Sequence, residues 1–136
     1  MESDYYHRLY AAWEKQNYLK ATFEGIRRYQ ERNKVKIVVP IFPVIFDFQN
    51  YKWRDLNELI IELCGKNDLA YVSLLAPYSR FDDNEMRVQR GDFTHQSVKG
   101  NRVAAEAIAG LVLRIFDEKG AALGHQRRVA SSQTKP

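Results

Sequence analysis

From about residue 5 to residue 32 the apolar positions return at three- and four-residue steps: Tyr6, Leu9 and Trp13, then Leu19, Phe23, Ile26 and Tyr29 or Gln30. That period predicts an amphipathic helix, with a break near Asn17 where the stripe shifts. "VKIVVPIF" (35–42) is β-branched and almost unbroken in its apolar content, which predicts a strand buried on both faces of a parallel sheet. Pro40 and Pro43 are expected to end it, because proline donates no hydrogen bond to a ladder. From Lys52 to Cys64 the helical period returns, with Trp53, Leu56, Leu59, Ile60, Leu63 and Cys64 on one face and Gly65 where a left-handed C-cap falls. "LAYVSLLA" (69–76) predicts a second buried strand, and "PYSRFDDNEMRVQRG" (77–91) a long polar loop. Val98 to Phe116 then reads as a helix with Ala104, Ile108, Leu111 and Ile115 on its stripe and Ser97 as N-cap.

Helix, strand, helix, strand, helix is the alternation of an α/β domain with a parallel sheet. Two strands are few for such a sheet, and a leading helix in this class normally follows a strand. The chain is therefore expected to be the C-terminal portion of a larger domain, residues 1–117, whose N-terminal strands are missing. Residues 118–136, rich in Gly, Ser, Gln and Arg, are expected to form a disordered basic tail.

Composition narrows the function classes. The chain has 136 residues, 45% of them hydrophobic and 28% charged, which suits one globular body. Of the net charge of +4, three charges fall beyond residue 117, where Lys119, Arg127, Arg128 and Lys135 outweigh Glu118. The body is near neutral, so a nucleic-acid partner is not expected. Cys64 is the single cysteine, so no intrachain disulfide forms, and no Cys/His spacing suits a zinc site. No run approaches the roughly 18 apolar residues of a membrane span.

The candidate chemistry lies in "GDFTHQSVKG" (91–100), where Asp92 precedes His95 by three residues. Within a turn, that offset lets the carboxylate reach the imidazole Nδ1 hydrogen and leaves Nε2 to take a proton from a nucleophile. The loop follows the second strand's carboxyl end, on the rim where ligands gather in open α/β sheets. Spacing alone also fits a capping or surface pair, the more common use of Asp-x-x-His.

"DFTHQSVKGNRVAAEAIAGLVL" resembles the last sequence block of the SGNH hydrolases, the GDSL family of esterases and lipases. Asp92, His95, Gly100, Asn101 and the Ala-rich helix from Val98 match its pattern, and the looser likeness covers about residues 4–117. The resemblance implies a three-layer, flavodoxin-like α/β/α fold and a Ser-His-Asp triad that cleaves esters, with Asp92 and His95 as two of its members. It implies no cofactor and no metal, and an ester substrate that is a small molecule, a lipid or an acylated carbohydrate. The family's Gly-Asp-Ser block and its two oxyanion blocks lie upstream of the matched region. The Ser-bearing block is absent from this chain, and Ser3 in "SDYY" stands where the family's oxyanion Asn is usual. Gln96 replaces a common Pro at a position without chemistry.

"GKND" (65–68) spells the family's Gly-x-Asn-Asp block but sits between a helix and the start of a strand, so it is read as a C-cap and turn. Ser73, Ser79 and Ser97 lack a nucleophile context and are read as structural, while His7, His125, Asp82, Asp83 and Glu85 are read as solvated. Trp13 and Trp53 are read as core. Phe46, Phe48 and Tyr51, in the loop after the first strand, are candidates for the substrate rim as well as for the core.

The expectation is thus an ester hydrolase of which this chain holds only the His and Asp. The alternatives are a noncatalytic interaction module of the same fold, self-associating through an open sheet edge, or an acyltransferase on that framework.

Overall fold

The computed structural model describes Arg8 and residues 13–132. Ser3, Tyr6, His7 and Leu9 lie outside the described residues, as do the side chains of Trp13 and His125. The chain is mixed α/β: helix α1 (Trp13–Asn33), strand β1 (Val38–Ile41), helix α2 (Arg54–Lys66), strand β2 (Ala70–Ser73), two single-turn helices α3 (Leu75–Tyr78) and α4 (Asp83–Met86), and helix α5 (Val98–Ser132).

The helix α1 is continuous through Asn17, where a break was expected. One asparagine carries only a modest helical penalty, and the stripe beyond it packs tightly: Phe23 is buried with Leu63, Cys64 and Leu69, flanked by Leu19, Ile26, Leu59 and Ile60. Between Tyr29 and Gln30 the packed position is Gln30, which is buried while Tyr29 is exposed. Its amide is satisfied from both ends, donating to the Asp68 carbonyl at 3.2 Å and accepting from the Ile37 amide at 2.8 Å. One side chain thereby fastens the entry to β1 to the entry to β2.

The two strands pair in parallel, Val38 beside Ala70 through Ile41 beside Ser73. Neither is buried on both faces as expected; most of their residues are only half-buried, since each strand has a single neighbour among the described residues. Pro40 does not end β1 but lies inside it. The Ile41 carbonyl accepts from the Leu74 amide at 2.9 Å, so Ile41 and, two residues back, Val39 turn their peptide groups toward β2. The nitrogen of Pro40 consequently faces the outer edge, the one place in a strand where a missing N–H breaks no ladder bond.

After Ser73 the chain turns at Leu74 into α3, with Pro77 in its first turn, where no helical partner is required of its nitrogen. The expected polar loop therefore holds two short helices. The second, α4, is set by a capping box: Asp82 accepts from the Asn84 and Glu85 amides, and Glu85 reaches back to the Asp82 amide. A buried cluster of Ile45, Phe48, Tyr51, Trp53, Leu74, Leu75, Tyr78, Met86 and Ala104 joins the loop after β1, α3, α4 and α5. Helix α2 packs on both strands, and α5 packs on β2, α3 and α4. Helical backbone in α5 continues past Phe116 to Ser132, through much of the stretch that composition assigns to a tail.

Candidate active site

Residues 86–97 form a closed loop. The Ser97 amide donates to the Met86 carbonyl at 2.8 Å and the Val88 amide to the His95 carbonyl at 3.0 Å, while Arg87 and Gln96 form an antiparallel bridge. At the tip the Asp92 amide donates to the Gln89 carbonyl at 3.1 Å, and the turn requires Gly91 at φ +86°, a region open to glycine at little cost.

This turn aims Asp92 at its own neighbours. Its Oδ1 accepts from the amides of His95 at 2.9 Å and Thr94 at 3.0 Å, and from the Thr94 hydroxyl at 3.2 Å. Its Oδ2 lies 2.9 Å from His95 Nδ1. The backbone amide hydrogens of His95 and Thr94, followed by the imidazole, hold the Asp92 carboxyl far below its ordinary value of 3.8. Asp92 is thus ionised and can only accept, so Nδ1 carries the hydrogen that it shares with the carboxylate, and Nε2 is the ring nitrogen turned away from Asp92. The Asp92 side chain is 16% exposed and the imidazole 77%. Among the described residues, Nε2 has no partner.

A cleft of about 530 Å³ lies beside the pair, lined from one side by Gln89 to His95 and from the other by Val44, Phe46, Lys52 and Trp53. The two sides are tied by the Ile45 amide, which donates to the Phe93 carbonyl at 2.8 Å. Phe46 meets Phe93 edge-on at 5.3 Å and Trp53 at 6.3 Å. The Lys52 ammonium rests 4.6 Å from the Trp53 ring centroid and 5.3 Å from that of Phe46. Of the three rim candidates, only Phe46 lines this cleft. Phe48 is buried against Tyr78, and Tyr51 is buried with its hydroxyl accepting from the Val44 amide at 2.9 Å.

The remaining candidates fall into structural roles. Ser97 caps α5 by accepting from the Gly100 amide at 3.0 Å and donates to the Glu85 carbonyl at 2.5 Å. Ser73 bonds Asn57 at 3.1 Å, and Ser79 bonds the Leu75 carbonyl at 2.6 Å. The Asp83 carboxylate accepts from the Asp47 and Phe48 amides, and Glu85 pairs with Lys99 at 2.7 Å. "GKND" closes α2, with Asn67 rather than Gly65 at the cap and Asp68 at φ 50°. Cys64 is fully buried, and burial pushes its thiol up, which makes it a poor nucleophile. Among the described residues no cluster of three or more His, Cys, Asp or Glu could hold a metal ion. Sequence reasoning missed Val44, Lys52, Arg90 and Phe93 as cleft residues and placed Trp53 in the core alone.

Comparison of the chain with protein-family models, curated proteins and solved structures finds no match.

Proposed function

We propose that this chain supplies the proton-handling half of a serine ester hydrolase resembling the C-terminal part of an SGNH hydrolase. One observation carries the reading: the contact of His95 Nδ1 with Asp92 at 2.9 Å, on the wall of a cleft large enough for a small ester. Packing of α2 on the strands from one side, and the groove that Val38 shares with Val112, Ile115 and Phe116 of α5, support a three-layer, flavodoxin-like arrangement.

In this mechanism a serine hydroxyl from another strand of the sheet attacks the ester carbonyl while Nε2 of His95 takes its proton. The carbonyl π electrons move to oxygen, and amide or asparagine donors hold the oxyanion. His95 then protonates the departing alcohol as the intermediate collapses to the acyl-enzyme; a water deprotonated by His95 attacks the acyl carbonyl, and His95 returns that proton to the serine oxygen as the acid leaves. Asp92 keeps the ring in the Nδ1–H tautomer and stabilises the imidazolium. An alcohol acceptor in place of water makes the same site an acyltransferase.

The test is hydrolysis of p-nitrophenyl acetate. A polypeptide extended upstream through a Gly-Asp-Ser strand is expected to turn over and to lose about 10⁴-fold or more on His95→Ala or Asp92→Ala. Turnover indifferent to His95→Ala sinks the reading. A second reading, a noncatalytic interaction module, is favoured by the engagement of Ser73, Ser79 and Ser97 in structural hydrogen bonds. It predicts that no reading frame upstream of Met1 encodes a Gly-Asp-Ser after an apolar strand.

A further inference from the structure

We infer that the cleft beside His95 selects an anionic ester, one in which a carboxylate or phosphate sits next to an apolar or flat group. That the ligand is an ester rests on the function just proposed; its charge rests on the cleft alone. Two cations, Lys52 and Arg90, line it, and the single acid among its lining residues is Asp92. That acid is already engaged by two backbone amides and the His95 ring. Elsewhere on the chain, Arg27, Lys66 and Lys99 each stand beside a carboxylate. Lys52 and Arg90 have no such partner among the described residues.

The walls sharpen the effect. The Lys52 ammonium lies over the Trp53 and Phe46 rings, a cation–π contact that favours this placement of a long side chain at the cleft. The Phe46 and Trp53 rings on one side of the cleft, and the Phe93 ring that meets Phe46 edge-on from the other, give it a low-dielectric surface on which an aryl or alkyl group can lie. Charge on such a surface is attracted more strongly than in open solvent. A neutral ester of the same shape would gain the apolar contacts and leave both cations without a counter-ion.

The experiment uses the chain itself and reads binding, not turnover. Hydrocinnamate, phenyl phosphate and the neutral hydrocinnamamide are titrated while backbone amide shifts are followed by NMR. At least one of the two anions is expected to shift the amides of Lys52, Arg90 and Phe93 and to bind at least about threefold more tightly than the amide, the range of a partly exposed charge contact. Which anion prefers the site tells carboxylate from phosphate. The preference is expected to shrink in Lys52→Gln and Arg90→Gln, to vanish in the double variant, and to persist in Arg28→Gln, a charge control on α1. Both side chains are exposed, so the variants are expected to fold, which the dispersion of their amide spectra checks. Equal binding of the neutral amide, or a preference that survives the double variant, overturns the inference. Either result leaves the proton-handling reading of His95 standing, since no turnover is measured; conversely, esterase activity indifferent to His95 leaves the charge preference standing.

Discussion

Gly100 stands so close to Met86 that a Cβ at residue 100 would lie 2.6 Å from the Met86 carbonyl oxygen. The same carbonyl accepts from the Ser97 amide, so it is pinned where α5 begins and has little freedom to retreat. Gly100→Ala is expected to destabilise the fold by about 1–3 kcal/mol, the usual penalty for forcing extra atoms into a packed contact. Urea unfolding followed by circular dichroism measures it. A neutral or stabilising result would mean that α4 and α5 slide apart freely, and the loop holding His95 would then be less firmly anchored than the hydrogen bonds indicate.

The Asp92 carboxyl makes a pH prediction with a definite sign. Its folded-state value lies well below the ordinary 3.8 because the His95 and Thr94 amides and the imidazole favour the ionised form. The unfolded chain therefore binds more protons here as pH falls below about 4, so this contribution is complete above the unfolded value and lost as pH drops through the folded one. The part of the Thr94 and His95 amide shifts that follows protonation of the Asp92 carboxylate is expected to appear only below the ordinary carboxyl value. In Asp92→Asn the acid transition disappears, and at neutral pH the ring loses its bias toward Nδ1–H, which ¹⁵N shifts of the imidazole report. An amide transition centred near 3.8 in the unsubstituted protein contradicts the geometry.

Much of this was legible in the sequence wherever the deciding contact is short-range. The stripes of α2 and α5 repeat at the helical period, and Asp92 and His95 meet within one turn. The cleft was not legible, because Phe46, Lys52 and Trp53 reach His95 through a long-range bond between the Ile45 amide and the Phe93 carbonyl. In an aperiodic loop, nothing local separates Phe46, which faces the cleft, from Phe48, which faces Tyr78. The capping box of Asp82 and Glu85 was present as Asp-x-x-Glu but read as surface charge; the spacing was the available signal.

Tyr78 ties the same region together from below. Its fully buried hydroxyl donates to the Gly100 carbonyl at 3.0 Å, and burial pushes its phenol up. Tyr78→Phe keeps the ring packed on Phe48 and removes only the hydrogen bond, so a loss of about 1 kcal/mol is expected. Thermal and urea unfolding should agree on that figure. A loss several times larger would show that the ring itself repacks.

Pro40 bears on the edge of β1 that has no neighbouring strand among the described residues. Its nitrogen faces away from β2, so on that side β1 presents the peptide groups of Val38 and the carbonyl of residue 40 without a donor at the centre. An exposed edge with a full set of donors and acceptors templates pairing with another chain, and proline is one of the devices that prevents it. Pro40→Thr restores the donor without disturbing the register with Val72, because that residue's peptide nitrogen is not used in the ladder with β2. The variant is expected to fold as before and to self-associate more readily with rising concentration, measured by size-exclusion chromatography with light scattering. Unchanged association would show that the outer edge is covered by other means, and a variant that unfolds would show that the nitrogen lies on the β2 side after all.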